Sequence, residues 1–352
     1  MDAVLTAMVE DRIGPGECSR VLLQTAREHL RFDFALALRS PATALYLALK
    51  ALGLDDGDGV LVSALSPRYY ASVIADLRLT PLYCDAASFS FPCVSAESVE
   101  KAIDARPKDV RPRCMVLHHT LGFAPDAASL AAFGVPIVED VSQGYAPATG
   151  RDAGGDGEKR PEEKSGAGEA AQPTAVRGVL AILGLEERDA LTSGGGAILF
   201  AMSRRDASAL RGYSGLPGEY CLPDINAALA TVQFKEAERN MERRREIARV
   251  YAQASLRSRH KRLVPLDGFE YNDYAFPLVL ESSMKDVVAY ARKKEIVVEN
   301  AFAGTLAAAG AVDSAACPTS CSLALRTALF PLYPRLRAAE TERVSKLITT
   351  LP

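Results

Sequence analysis

Histidine is scarce in this 352-residue chain: only four are present, so a multi-histidine metal site is not expected. The seven cysteines (Cys18, Cys84, Cys93, Cys114, Cys221, Cys317 and Cys321) are odd in number and scattered. Cys317 and Cys321 are four apart, but no His or Cys pair elsewhere completes a zinc pattern, and reduced, mostly buried thiols are expected. No metal is expected. No stretch approaches the ~18–20 apolar residues of a membrane span. The first residues, MDAVLTAMVEDRIGPGE, carry acids and lack the basic-then-apolar pattern of a signal peptide, which points to the cytoplasm. A net charge of −3 leaves no electrostatic footprint for nucleic acid or a membrane surface. A Gly-x-Ser-x-Gly nucleophile motif is absent. Gly194–Gly196 lacks both the Lys-Ser/Thr of a phosphate loop and the spacing of a dinucleotide fingerprint, so a tight connection between strands is expected there. Finally, no lysine falls between residues 165 and 234.

What is present describes an ordinary globular protein, 48% hydrophobic and 24% charged, long enough for about two domains. The segments SRVLLQTAREHLRF and TALYLALKALGL place apolar residues at helical spacing, and Asp55–Gly59 stops the second. Short, nearly continuous apolar runs follow: GVLVSA, TPLYCD, RCMVLHH, VPIVED, VRGVLAIL and GAILFA. Continuous apolar strands alternating with helical segments imply a mostly parallel sheet covered on both faces. Residues 148–176 carry almost no large apolar side chains and read as a disordered surface insertion. From residue 225 to 255 one long helical pattern runs, its KEAERNMERRRE face a solvated array of interleaved acids and bases. Strand-like YAFPLVLE and helix-like SMKDVVAYARKKE belong to a smaller closing domain.

Several segments occur in the order found in one family. FALALRSPATALYLALK (34–50) resembles a strand, a Ser-Gly-Thr turn and a helix; VLVSALSPRYYAS (60–72) resembles a strand and a loop supplying a ring-stacking aromatic. VLHHTLGFAPD (116–126), VPIVEDVSQ (135–143), LTSGGGAILF (191–200), NAALA with ERRREIARVY (226–251) and CPTSCSLALRTALFPLYPRL (317–336) continue the series. The chain so resembles the pyridoxal-phosphate sugar aminotransferases of the DegT/DnrJ/StrS family, of fold type I. The resemblance implies an α/β fold: a mostly parallel seven-stranded sheet between helices in a large domain (1–230), then an interdomain helix and a small α+β C-terminal domain (231–352).

A pyridoxal site needs a carboxylate against the pyridine nitrogen, a flat side chain on the ring, hydrogen bonds to the phosphate and an amine for the Schiff base. By resemblance Asp140 holds the nitrogen, Gln143 touches the ring hydroxyl, and Tyr69, with Tyr70 as neighbour, stacks on the ring. An acid at a strand end also serves as a cap or turn former, and a tyrosine there also serves as core. At the phosphate end the family's Gly-Thr is Pro41-Ala42; proline has no N–H to donate and alanine no hydroxyl. A family serine falls on Leu183, and a phosphate-reaching Asn and Arg fall on Tyr220 and Leu222. The lysine position falls on Arg188, whose guanidinium stays protonated and is no nucleophile. His119 is the one candidate for a replacement base, although a histidine pair such as His118-His119 also serves structure alone. Two functions follow. One is a degenerate transaminase of keto-sugar nucleotides, using pyridoxal phosphate or pyridoxamine phosphate. The other is a non-catalytic binding or scaffolding subunit without cofactor. By resemblance the chain forms a homodimer, or a heterodimer with an active paralogue, with a sugar nucleotide as its ligand and neither nucleic acid nor membrane as partner.

Overall fold

A computed structural model describes residues 2–9, 11, 13–147, 176–267, 269 and 271–352. The proposed insertion therefore lies, but for Val176, outside the described residues.

Each of the six apolar runs forms a strand where the alternation of runs and helices expects one, and FALAL (34–38) adds a seventh at the start of the sheet. They are β1 (Phe34–Leu38), β2 (Gly59–Ser63), β3 (Thr80–Cys84), β4 (Pro112–His118), β5 (Ile137–Asp140), β6 (Leu180–Gly184) and β7 (Ala197–Ala201). The sheet order is β1-β7-β6-β5-β4-β2-β3; β7 alone runs antiparallel to its neighbours. Every residue of β2, β6 and β7 is buried, as a sheet covered on both faces requires. One face packs on α3 (Pro41–Ala51), α4 (Tyr69–Asp76) and α7 (Arg204–Arg211), through Leu45, Ile74 and Leu210 against Val62, Val116, Ile182 and Leu199. The other packs on α2 (Glu17–Leu30) and α8 (Asp224–Lys235), through Leu22 and Phe234 against Leu183 and Phe200. Further along that face, Val99 of α5 (Ala96–Asp104) and Leu130 of α6 (Ala127–Leu130) meet Leu82, Met115 and Leu117.

The helical pattern expected to run unbroken to residue 255 is instead two helices. Glu236 leaves helical geometry (φ −97°, ψ 1°), ending α8 and starting α9 (Ala237–Ser255). The break lets α8 pack on α2 while α9 packs on α12 (Ala338–Thr349). Helical spacing carries no mark of this change of partner. A second, antiparallel sheet has the order β10-β11-β9-β8, formed by β8 (Lys261–Arg262), β9 (Phe276–Val279), β10 (Glu299–Asn300) and β11 (Thr327–Phe330). Its core joins Tyr251, Leu278, Phe330 and Leu347, with Val287 of α10 (Met284–Arg292).

All seven cysteines are free thiols, and four of them are buried. Burial pushes Cys93 and Cys114 up to about 12, which keeps both protonated and unreactive at neutral pH. Among the described residues no group of three or more His, Cys, Asp or Glu side chains is placed to hold a metal, and no helix is long and apolar enough to cross a membrane.

Candidate functional site

The parallel strands β4, β5 and β6 end side by side, with His118 in register with Asp140, and Asp140 with Ile182. In open α/β sheets this carboxyl edge is where ligands sit. A cavity of about 190 Å³ opens there, lined by Pro41, Tyr69, His118, Asp140, Ser142, Gln143, Arg188 and Asp189 among others. Pro41, Tyr69, Asp140, Gln143 and Arg188 are thus brought to one cavity.

Their contacts differ from the expected ones. Asp140 is buried, and four donors of its own chain meet its carboxylate. Tyr70 donates to Oδ2 at 2.6 Å and Tyr69 to the same oxygen at 3.3 Å. The backbone N–H of Ser142 donates to Oδ1 at 3.0 Å, and the Ser142 hydroxyl donates to it as well. Tyr70, expected only as a neighbour of the stacking residue, is fully buried and makes the shorter bond. Burial, reinforced by the Asp140 charge, raises both tyrosine hydroxyls well above their ordinary range, so both remain donors. Tyr69 rests edge-on against Tyr70, with ring centres 5.1 Å apart. Gln143 accepts the Leu121 N–H through Oε1 at 2.7 Å, and its carbonyl accepts from Asn272 Nδ2 at 2.6 Å.

At the helix end, Pro41 begins α3 without an N–H, and the Ser40 hydroxyl, as cap, takes the Thr43 N–H at 3.1 Å. Ala42 packs into the core beside it. Leu183 requires a correction. Strand alternation turns it to the opposite face of the sheet, among Leu185, Phe200 and the α2–α8 layer, and it does not line the cavity. Gly184 takes the cavity side instead: a Cβ there would run into Asp189 Oδ2 and the Ser142 hydroxyl. Leu222 is buried and Tyr220 half exposed, so neither supplies a charge.

His119 requires a second correction. It is His118 that lines the cavity, with Nδ1 3.1 Å from Thr120 Oγ1 and its imidazole held below the ordinary range by burial. His119 points away, Nε2 3.0 Å from Glu139 Oε2, both buried. Burial alone would raise the Glu139 carboxyl. His119 and the N–H groups of Arg177 and Gly178, at 2.6 and 2.5 Å, together bring it below its usual value.

Arg188 sits in the loop between β6 and β7. Three consecutive glycines with positive φ (77°, 132° and 114°), Gly194–Gly196, close this loop on the Leu185 carbonyl and the Glu186 carboxylate. The triple glycine is therefore a strand connection, as expected. The Arg188 guanidinium is half exposed and pairs with Glu299 of β10 at 2.8 Å. The loop side chain facing Asp140 is the next one, Asp189, which the sequence did not single out. Burial pushes its carboxyl up to about 8, the Asp140 charge adding to this while the Glu186 N–H, 2.8 Å away, opposes it. A third acid in the loop, five residues beyond the end of β6, was the available signal.

On the far side of the loop lies a larger cleft of about 1190 Å³, walled by α9 and by residues 329–335. Arg188 and Asp189 line both spaces.

Comparison with known proteins places this geometry. The model of the DegT/DnrJ/EryC1/StrS aminotransferase family matches residues 1–160 and 200–349, omitting the segment that carries β6, Arg188 and Asp189. An L-glutamine:2-deoxy-scyllo-inosose aminotransferase of Streptomyces lividus is 28% identical over 229 residues, 56% of this chain and 47% of that protein. The chain spans about half or less of the length of the curated relatives it matches. Among solved structures, a DegT/DnrJ/EryC1/StrS aminotransferase from Brucella abortus superimposes with a TM-score of 0.81 at 20% identity, over 99% of this chain and 93% of that one. DesV of S. venezuelae, solved with a ketimine intermediate, gives 0.78 at 19% identity, over 99% and 92%. These likenesses confirm the fold, including the seven-stranded, mostly parallel sheet between helices.

Proposed function

The chain belongs to the DegT/DnrJ/EryC1/StrS aminotransferase family, and from that premise we propose that it is a non-catalytic member whose pyridoxal end is closed by its own side chains. The observation that carries this reading is the state of Asp140. An ionised carboxylate offers about four lone-pair sites, and Tyr69, Tyr70 and the two donors of Ser142 occupy them. A pyridinium N–H would need one of those sites, and only the 3.3 Å contact of Tyr69 is long enough to be given up readily.

The rest of the cavity supports the same reading. Its volume of about 190 Å³ lies below the ~300–1,000 Å³ of ordinary small-molecule sites. Pro41 and the capped Thr43 N–H withdraw donors from the phosphate end. No lysine lies between 165 and 234, Arg188 is engaged with Glu299, and the buried Asp189 carboxyl, not an amine, lines the cavity from the loop. The residues present therefore do not fit pyridoxal phosphate or pyridoxamine phosphate. Transamination of a keto-sugar nucleotide would need an amine carrier that this cavity does not accommodate. In this reading the chain acts as a binding or scaffolding subunit, in a dimer with itself or with an active paralogue, and works in the cytoplasm.

The test is the visible spectrum of the purified protein with added pyridoxal phosphate, before and after borohydride. The expected result is no band that borohydride bleaches. An aldimine band that bleaches contradicts the proposal.

A further inference from the structure

The larger cleft beside α9 holds a charge that nothing among the described residues answers. Arg244 lines it from α9, surrounded closely enough that burial lowers its guanidinium below the ordinary range. Among the described residues only Nη1 finds acceptors, the Ala190 carbonyl at 3.4 Å and the Met241 sulfur at 4.0 Å, and Nε is buried with none. The guanidinium carbon lies 5.9 Å from the Tyr274 ring centre, which orients the group without neutralising it. Among the described residues no carboxylate lies within ion-pair distance of Arg244. The other arginines of the α9 wall are spent: Arg239 on Glu236 at 3.1 Å and Arg243 on Glu246 at 2.6 Å. Across the loop, Arg188 is spent on Glu299. Glu242, the remaining acid of this helix wall, is taken by Arg245 at 3.1 Å. Arg335, exposed on the opposite wall, adds a second cation, and the loop opposes them with the exposed Glu187 and with Asp189.

A desolvated cation without a counter-charge is costly, and an unfilled planar fork matches a two-oxygen acceptor. We infer that this cleft is an oxyanion site, in which Arg244 receives the phosphate or carboxylate group of a small molecule. The volume, about 1190 Å³, leaves room for the rest of such a molecule and exceeds what a lone ion needs. The inference does not depend on whether pyridoxal phosphate binds, since the loop carrying Arg188 separates the two spaces.

The experiment titrates the whole protein calorimetrically with inorganic pyrophosphate and, separately, with citrate, at constant ionic strength. Saturable binding of either is expected, and which one binds identifies the group. Arg244→Met should weaken binding at least tenfold while keeping or raising the melting temperature, because it removes an unanswered buried charge. Arg244→Lys, which keeps the charge but not the fork, should bind with intermediate strength and covers the case in which the Met variant fails to fold. Arg113→Met, which removes an exposed cation outside the cleft, should bind as the parent does. Binding of neither probe, or binding that Arg244→Met and Arg244→Lys leave unchanged, overturns the inference.

Discussion

Two spaces meet at the loop between β6 and β7, and their polar groups are in opposite states. At the carboxyl ends of the strands, Asp140 is a buried carboxyl group whose oxygens each receive two donors from its own chain. In the cleft beside α9, Arg244 is a largely buried cation, and among the described residues most of its N–H groups find no acceptor. A fold inherited from a family of enzymes leads one to look for the ligand at the first space, because the strand ends and the acid are there. Hydrogen-bond satisfaction points to the second. A site that has lost its ligand can stay folded by turning its polar groups inward on one another, whereas a site that still has one must leave groups unsatisfied until the ligand arrives.

The largest effect expected from this contrast is on Asp140. Asp140→Ala strands the hydroxyls of Tyr70 and Ser142 in a buried setting and should cost about 3 kcal/mol or more of stability in urea unfolding. A carboxylate merely waiting for a ring would cost little to remove, so a change below about 1 kcal/mol would break the comparison. Next comes the buried pair on the other side of the sheet. Glu139→Leu leaves His119 and the N–H groups of Arg177 and Gly178 without an acceptor, and chemical denaturation should show a loss of about 2–3 kcal/mol. That loss should leave oxyanion binding in the cleft unaltered.

A smaller effect concerns pH. The Asp189 carboxyl is raised from 3.8 to about 8. Between these values the folded chain holds a proton that the unfolded chain has released, so this group's contribution falls as pH rises through the window. His118, held below 6.5 by burial, acts in the opposite sense at lower pH. Above that point, stability measured to one unit past the Asp189 midpoint should fall by at most about 1.4 kcal/mol per pH unit, and Asp189→Asn should abolish the slope. An identical slope in the variant would place the titration elsewhere. The smallest effect is at Arg188. Its pair with Glu299 is half exposed, so Arg188→Ala should change stability by less than about 1 kcal/mol. If the proposed reading holds, Arg188→Lys should yield no coloured protein with pyridoxal phosphate, because Tyr69, Tyr70 and Ser142 would still occupy Asp140 and Pro41 would still begin α3 without an N–H.

The fold was legible because its signals are collective. Six apolar runs and the helices between them arrive in order, and each run became a strand. The side-chain directions at strand ends were not legible. His118 and His119 are consecutive, and so are Leu183 and Gly184; in strands buried on both faces nothing in residue type says which member of a pair faces the cavity. The contacts that close on Asp140 come from residues 70 positions earlier and two later, and no spacing rule joins them. Asp189 was not legible for a related reason: it shares a loop with Glu186 and Glu187, and residue type does not say which of the three acids turns inward. The unanswered state of Arg244 is a statement about absent neighbours, which only the assembled helix and loop can make.

Equilibrium dialysis of the unmodified protein against pyridoxamine phosphate tests the central claim most directly, because that cofactor form needs the Asp140 position but no lysine. The account predicts that the protein compartment retains none above the free concentration. Retention of one equivalent per chain would contradict it, since the ring would then have found a place that Tyr69, Tyr70 and Ser142 are held to fill.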